Sequence, residues 1–242
     1  MLPDQDHIPE NRPTAEHMAE MDDIIYRMSH DMIASIRALK DLPDWIAEDL
    51  EECGIDLAQS QRTMVDLMQS HARRLDAMVS GLLTYSRIGR LQEIKEIETR
   101  TTLRNSLKSL SMLYPDISLT SRLAKAKVFM GETDLERLIN ILVTNAVEHH
   151  PTPVPKISVL SFASQEFWEL HVTDDGIGIP AHLRDTVFKP MFKLMSRDEN
   201  EGGGMGLAIA RKIVARYNGS ISVSDAPGTG SGTVFMVRVP LG

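Results

Sequence analysis

From Leu57 to Ile88 the chain repeats itself every seven residues: Met64, His71, Met78 and Tyr85 form one track, and Met68, Leu75 and Leu82 form the adjacent one. A seven-residue period is the mark of a helix pressed along its length against other helices. An earlier stretch carries the same signature, with Ile25, Met28, Met32, Ser35 and Leu39 spaced 3, 4, 3 and 4. Gly54 marks a turn between the two segments. Two long helices with a short connection predict an α-hairpin, His71 being a packed, hydrogen-bonded core histidine on its seam. A lone hairpin leaves one long apolar face open, and pairing of two copies into a four-helix bundle covers it, so a homodimer is expected. Pro43 is expected to kink the first helix, with Trp45, Ile46 and Leu50 continuing its stripe.

The 242 residues leave room for a second domain beyond this hairpin. Residues 1–19, with Pro3, Pro9 and Pro13, predict a flexible arm entering a helix near Thr14; 20–90 form the hairpin, 91–98 a linker, and 99–242 the second domain. In that domain, helices are expected over 101–113, 134–149 and 205–217, and strands over 127–130, 157–162 and 167–173. A hairpin of strands at 220–224 and 233–239 spans the PGTGSG turn. Helices segregated from a partly antiparallel sheet predict an α+β sandwich. A net charge of −8 argues against a general nucleic-acid or anionic-membrane surface. One cysteine, Cys53, excludes an intrachain disulfide, and no apolar run approaches the ~20 residues of a membrane span, so a cytoplasmic protein without membrane insertion is expected.

Three segments of the second domain carry chemistry. Asp174-Asp175-Gly176-Ile177-Gly178-Ile179-Pro180 follows a predicted strand. A carboxylate at a strand end accepts a hydrogen bond from an amine such as the adenine 6-amino group, and the glycines admit a flat ring close to the backbone. Gly202-Gly203-Gly204-Met205-Gly206-Leu207 opens a helix, where free N–H groups suit phosphate. Asn145, late on the 134–149 helix, offers one oxygen to Mg²⁺. His149-His150 needs no metal, because a helix C-terminus favours histidine.

The order of these segments, continued by Phe188-x-x-x-Phe192 and by Gly228-x-Gly-x-Gly-Thr233-x-Phe235, resembles the Bergerat-type ATP-binding domain of histidine kinases, DNA gyrase, Hsp90 and MutL proteins. The resemblance covers about 99–240. It implies that Asp174 binds adenine, that Asn145 holds Mg²⁺, and that 188–201 is a mobile lid whose Lys193 and Arg197 touch the phosphates. It extends the nucleotide site to Gly176, Gly178, Ile179, Gly202, Gly204, Met205, Gly206, Leu207 and Thr233.

The hairpin selects the branch. Ser29-His30-Asp31 lies on the first helix, and His30 falls two positions past the seam residue Met28, which turns it away from the bundle core. Asp31 is placed to hydrogen-bond one ring nitrogen of an exposed imidazole and leave the other nucleophilic. SHDMIASIRAL, together with GLLTYSRIGR closing the second helix, is similar to the dimerization and histidine phosphotransfer domain of bacterial sensor kinases, phytochrome-like kinases above all. This implies autophosphorylation of His30 by ATP and transfer to an aspartate on a response-regulator receiver domain. No sensor is visible in the sequence, which implies input from a separate protein or from further segments.

Four positions depart from the family pattern. Ser35 stands where a proline is common, and Ala34 where phosphatase-competent members carry Thr or Asn. Ile141 replaces a polar residue, and Glu148 replaces a Lys or Arg, which predicts weak ATP use because an acid repels polyphosphate. Two other readings stay open: a phosphotransfer or scaffold protein with weakened ATP use, and a serine kinase of the anti-sigma-factor type.

Overall fold

The computed structural model describes residues 15–55, 57–89, 92–194, 202–227 and 231–241, and within the first helix it gives the backbone alone at 15–23, 25, 30, 31 and 34. Two antiparallel helices open the chain, α1 (Ala15–Glu52) and α2 (Gln59–Arg87). Residues 15–19, assigned above to the arm, already belong to α1, and α1 continues through Pro43 to Glu52.

The hairpin closes on a different track from the expected one. Ser29, Ile36 and Pro43 on α1, and Ala72, Val79 and Ser86 on α2, are buried, each set seven apart. Ser29, Ala72 and Ser86 are small, and Ile36, Pro43 and Val79 supply the apolar part of this seam. Met28 (60% exposed), Met32, Leu39, Met64 (62%), Met68 and Leu75 consequently face outward. His71 is exposed beside buried Ala72, so within this chain it is not a packed core histidine. Near the open end of the hairpin the guanidinium of Arg87 lies 4.7 Å over the Tyr26 ring and donates to its hydroxyl at 3.0 Å, locking α2 to the turn of α1 that precedes His30. Among the described residues no helix is long and apolar enough to cross a membrane.

The remainder is built from β1 (Lys95–Glu98), α3 (Thr99–Leu113), β2 (Ser118–Arg122), β3 (Lys127–Met130), α4 (Glu132–Glu148), β4 (Lys156–Ala163), β5 (Phe167–Asp174), α5 (Gly206–Arg216), β6 (Ser220–Asp225) and β7 (Thr233–Pro240). The order in the main sheet is β2-β4-β5-β7-β6, with only the β2–β4 pair parallel. Residues 95–98, expected to be linker, instead form β1 and pair antiparallel with β3. The sheet and α3, α4 and α5 enclose one apolar core, with Leu103, Leu135, Leu138, Leu142, Trp168 and Phe235 fully buried. This is the α+β sandwich expected from the pattern of elements. Leu82 and Tyr85 of α2 also pack against this core.

Glu98 starts α3: its carboxylate accepts the N–H groups of Arg100 and Thr101, both at 3.1 Å. At the start of α4, buried Asp134 accepts a 2.7 Å hydrogen bond from the Tyr217 hydroxyl, which itself accepts the Gly131 N–H at 3.0 Å. This joins the first turn of α4 to the end of α5. Burial and Asp134 push the Tyr217 hydroxyl up to about 12. A raised folded-state value stabilises the fold fully below the ordinary tyrosine value of about 10 and loses that contribution as pH rises toward 12. Tyr217→Phe strands a buried carboxylate oxygen and an N–H, and is expected to cost roughly 1–3 kcal/mol. Denaturant unfolding at pH 7 measures this, and the variant should also lose the wild type's steep destabilisation above about pH 10.

Candidate nucleotide site

α4 and the C-terminal end of β5 come together beside the start of α5, and between them lies a cleft of about 410 Å³. Asn145 reaches its wall from the last turn of α4, half-buried. Asp174 stands at the end of β5, only 7% exposed. Its Oδ1 accepts the N–H groups of Gly176 at 2.9 Å and of Thr233 at 3.2 Å, so the carboxylate is oriented by the turn that follows it and by the start of β7. Burial pushes Asp174 above the usual carboxylate range, opposed by those two bonds, by the charge of His150 and by the Thr233 side chain.

The other residues singled out in the sequence converge on the same cleft. Gly176, Gly178 and Ile179 line it beyond Asp174. Gly202, Gly204, Met205, Gly206 and Leu207 line it at the entrance to α5, Thr233 from β7, and Lys193 from the segment between. Desolvation, with Arg74 nearby, holds the Lys193 ammonium below its ordinary value. Arg197 lies outside the described residues, as do Gly228 and Gly230. The side chains of His30 and Asp31 are likewise outside the description, although both residues lie on α1.

Glu148, expected above to act on the polyphosphate, does line the cleft. Further lining residues were not singled out as nucleotide contacts: His149 and His150 continue the wall past Asn145, and Ala77 and Gly81 supply a wall from α2. Desolvation holds the His149 imidazole below its usual range, with Lys193 acting in the same sense and Glu148 opposing. The approach of α2 depends on two glycines. A Cβ built on Gly203 would lie 2.8 Å from the Ala77 backbone, and one built on Gly81 would lie 2.6 Å from Cβ of Met205. Neither position tolerates a side chain without displacing the glycine-rich loop from the helix. A glycine inside a helix as regular as α2 was the available signal, since it costs helix stability and so marks a close approach.

Comparison with known proteins agrees with this geometry. Residues 130–242 match the family described as histidine kinase-, DNA gyrase B- and HSP90-like ATPase. Phytochrome-like protein Cph1 of Synechocystis sp. is 24% identical over 93% of this chain, and the sensor histidine kinase RppB of the same organism is 29% identical over 74%. The chain spans 30% of the first relative and 41% of the second. The solved structure of histidine kinase ThkA in complex with response regulator protein TrrA superposes with a TM-score of 0.64 over 94% of this chain and 65% of that one, at 21% identity. Residues 130–242 are therefore a domain of the histidine kinase-, DNA gyrase B- and HSP90-like ATPase family, and the chain around them is similar to sensor histidine kinases, phytochrome-like kinases among them.

Proposed function

We propose that the chain is an ATP-dependent protein histidine kinase working as a cytoplasmic homodimer, with His30 as phosphoacceptor and a response-regulator receiver domain as the next carrier of the phosphoryl group. The observation that carries this reading is the composition of the cleft. Segments around Asn145, Asp174 and Gly204 line one cavity that is also walled by Ala77 and Gly81, which belong to the hairpin that bears His30. A nucleotide gripped there lies beside the stalk it is to phosphorylate.

In this reading Asp174 accepts the adenine 6-amino group, and its burial makes that bond selective. The glycine-rich entrance to α5 and Lys193 hold the phosphates, joined by Arg197. Asn145 would hold Mg²⁺, which would neutralise charge on the phosphates. The residue suits that ion: Mg²⁺ takes few protein ligands beside phosphate and water, and Asn145 offers a neutral side-chain oxygen from the cleft wall.

A ring nitrogen of His30 attacks the γ-phosphorus while Asp31 accepts a hydrogen bond from the other ring nitrogen. The bond from the γ-phosphorus to the bridging oxygen breaks, ADP leaves with that electron pair, and the ring nitrogen facing Asp31 passes its proton to that carboxylate. The outward Met28, Met32, Leu39, Met64, Met68 and Leu75 support a second copy packed on the hairpin, completing a four-helix bundle. Input would come from a separate sensor protein or from further segments of a longer chain.

Incubation with γ-labelled ATP and Mg²⁺ tests the reading. Label on the chain that is labile in acid and stable in alkali is expected. Acid-stable label on a partner protein would favour a serine kinase instead, and an unlabelled chain would favour a scaffold.

A further inference from the structure

Two residues past the end of α4, His150 is enclosed, with a side chain only 3% exposed. Its Nε2 lies 2.9 Å from Oδ1 of Asp175. That same oxygen accepts the backbone N–H of Lys156, where β4 starts, at 2.8 Å. On the other side of the ring Nδ1 faces Thr152, at 3.2 Å from its backbone nitrogen, 3.0 Å from Oγ1 and 3.1 Å from its carbonyl oxygen. Asp175 is acceptor-only when ionised, so Nε2 carries the proton and donates it in the neutral ring and in the imidazolium alike. A histidine that serves only its own helix turns toward the last carbonyls. His150 instead spends both nitrogens on residues beyond α4.

The connection joins the two ends of the cleft. Asn145 stands on the last turn of α4, five residues before His150. Asp175 is the residue directly after Asp174, in the turn whose Gly176 N–H orients the Asp174 carboxylate. The ring also lies against that turn, its Cδ2 being 3.4 Å from where a Cβ on Gly176 would stand. The helix bearing Asn145 is thus tied to the turn bearing Asp174 through one buried imidazole and one shared carboxylate oxygen.

We propose that His150 is a positioning residue of the nucleotide site, clamping Asp175 so that Asp174 is held in register for the 6-amino group of an adenine nucleotide while Asn145 stays at the phosphate end. This rests on the cleft being the ATP site. It also gives His150 a role in base selection. Guanine carries a carbonyl oxygen where adenine carries the amine, and a fixed carboxylate repels that oxygen, whereas a loosened one turns aside.

Titration of the full chain with a non-hydrolysable ATP analogue and with its GTP counterpart tests this, alongside autophosphorylation rates. His150→Ala is expected to weaken the ATP analogue roughly tenfold and to shrink the preference for adenine over guanine by a similar factor. The loss should fall on affinity, with a much smaller change in rate at saturating ATP. His150→Gln, whose amide N–H reaches toward Asp175, should recover most of both. Asp175→Ala should reproduce the loss, and the double variant should be no worse than either single one. Wild-type affinity and base preference in His150→Ala would overturn the proposal. So would a lowered melting temperature with unaltered base preference, because that is a purely structural role. A wild type that binds neither analogue would overturn the nucleotide site itself.

Discussion

Asp174→Asn is expected to weaken ATP binding by about 30- to 150-fold, the equivalent of roughly 2–3 kcal/mol, while leaving the chain folded. The substitution is selective because of what the carboxylate already does. Its Oδ1 accepts the Gly176 and Thr233 N–H groups, and an asparagine oxygen takes over both bonds. The second oxygen becomes an NH₂ group, which meets the adenine amine donor to donor in a site too buried for water to relieve it. Stability moves the other way. Because burial raises Asp174, the folded chain binds the proton more tightly than the unfolded chain does, and stability is lost as pH rises through that raised value. A neutral amide is free of this penalty, so the variant should unfold no earlier than wild type at pH 7. Isothermal titration with an ATP analogue, paired with a thermal melt, measures both effects.

His30→Ala is expected to reduce phosphate incorporation to background with nucleotide affinity unchanged. Neither neighbour offers a substitute nucleophile, for Ser29 is 1% exposed between the helices and Asp31 forms only a labile acyl phosphate. His71 provides the contrast. It is exposed on α2, yet it belongs to no arrangement that includes the cleft, and His71→Ala should incorporate label as wild type does. Scintillation counting of the washed chain after a fixed time with γ-labelled ATP compares the two variants directly.

Much of this architecture was legible because its signals are periodic or glycine-rich. The faces of α4 and α5, the β6–β7 hairpin and the three segments that meet at the cleft all come straight from the residue pattern. The parts that were missed share a physical cause. β1 and β2 are short edge strands with mostly exposed residues, so they carry no apolar alternation to read. The hairpin interface was placed one residue off because Ser29, Ala72 and Ser86 bury well without being strongly hydrophobic, whereas the large methionines beside them face outward. Glu98 was overlooked as the start of α3 because glutamate is an uncommon cap. His150 looked like a helix-end histidine, and its bond to Asp175 spans 25 positions of sequence that no local pattern connects.

The most direct measurement is the location of the phosphoryl group itself. The chain is incubated with ATP and Mg²⁺, digested with trypsin under alkaline conditions, and the peptide spanning residues 28–37 is fragmented in a mass spectrometer. Phosphate on the His30 ring is expected. Phosphate confined to Ser29, Ser35 or any other hydroxyl side chain, or a chain that takes up none, would contradict the assignment of the helical stalk as acceptor and the cleft as its donor site.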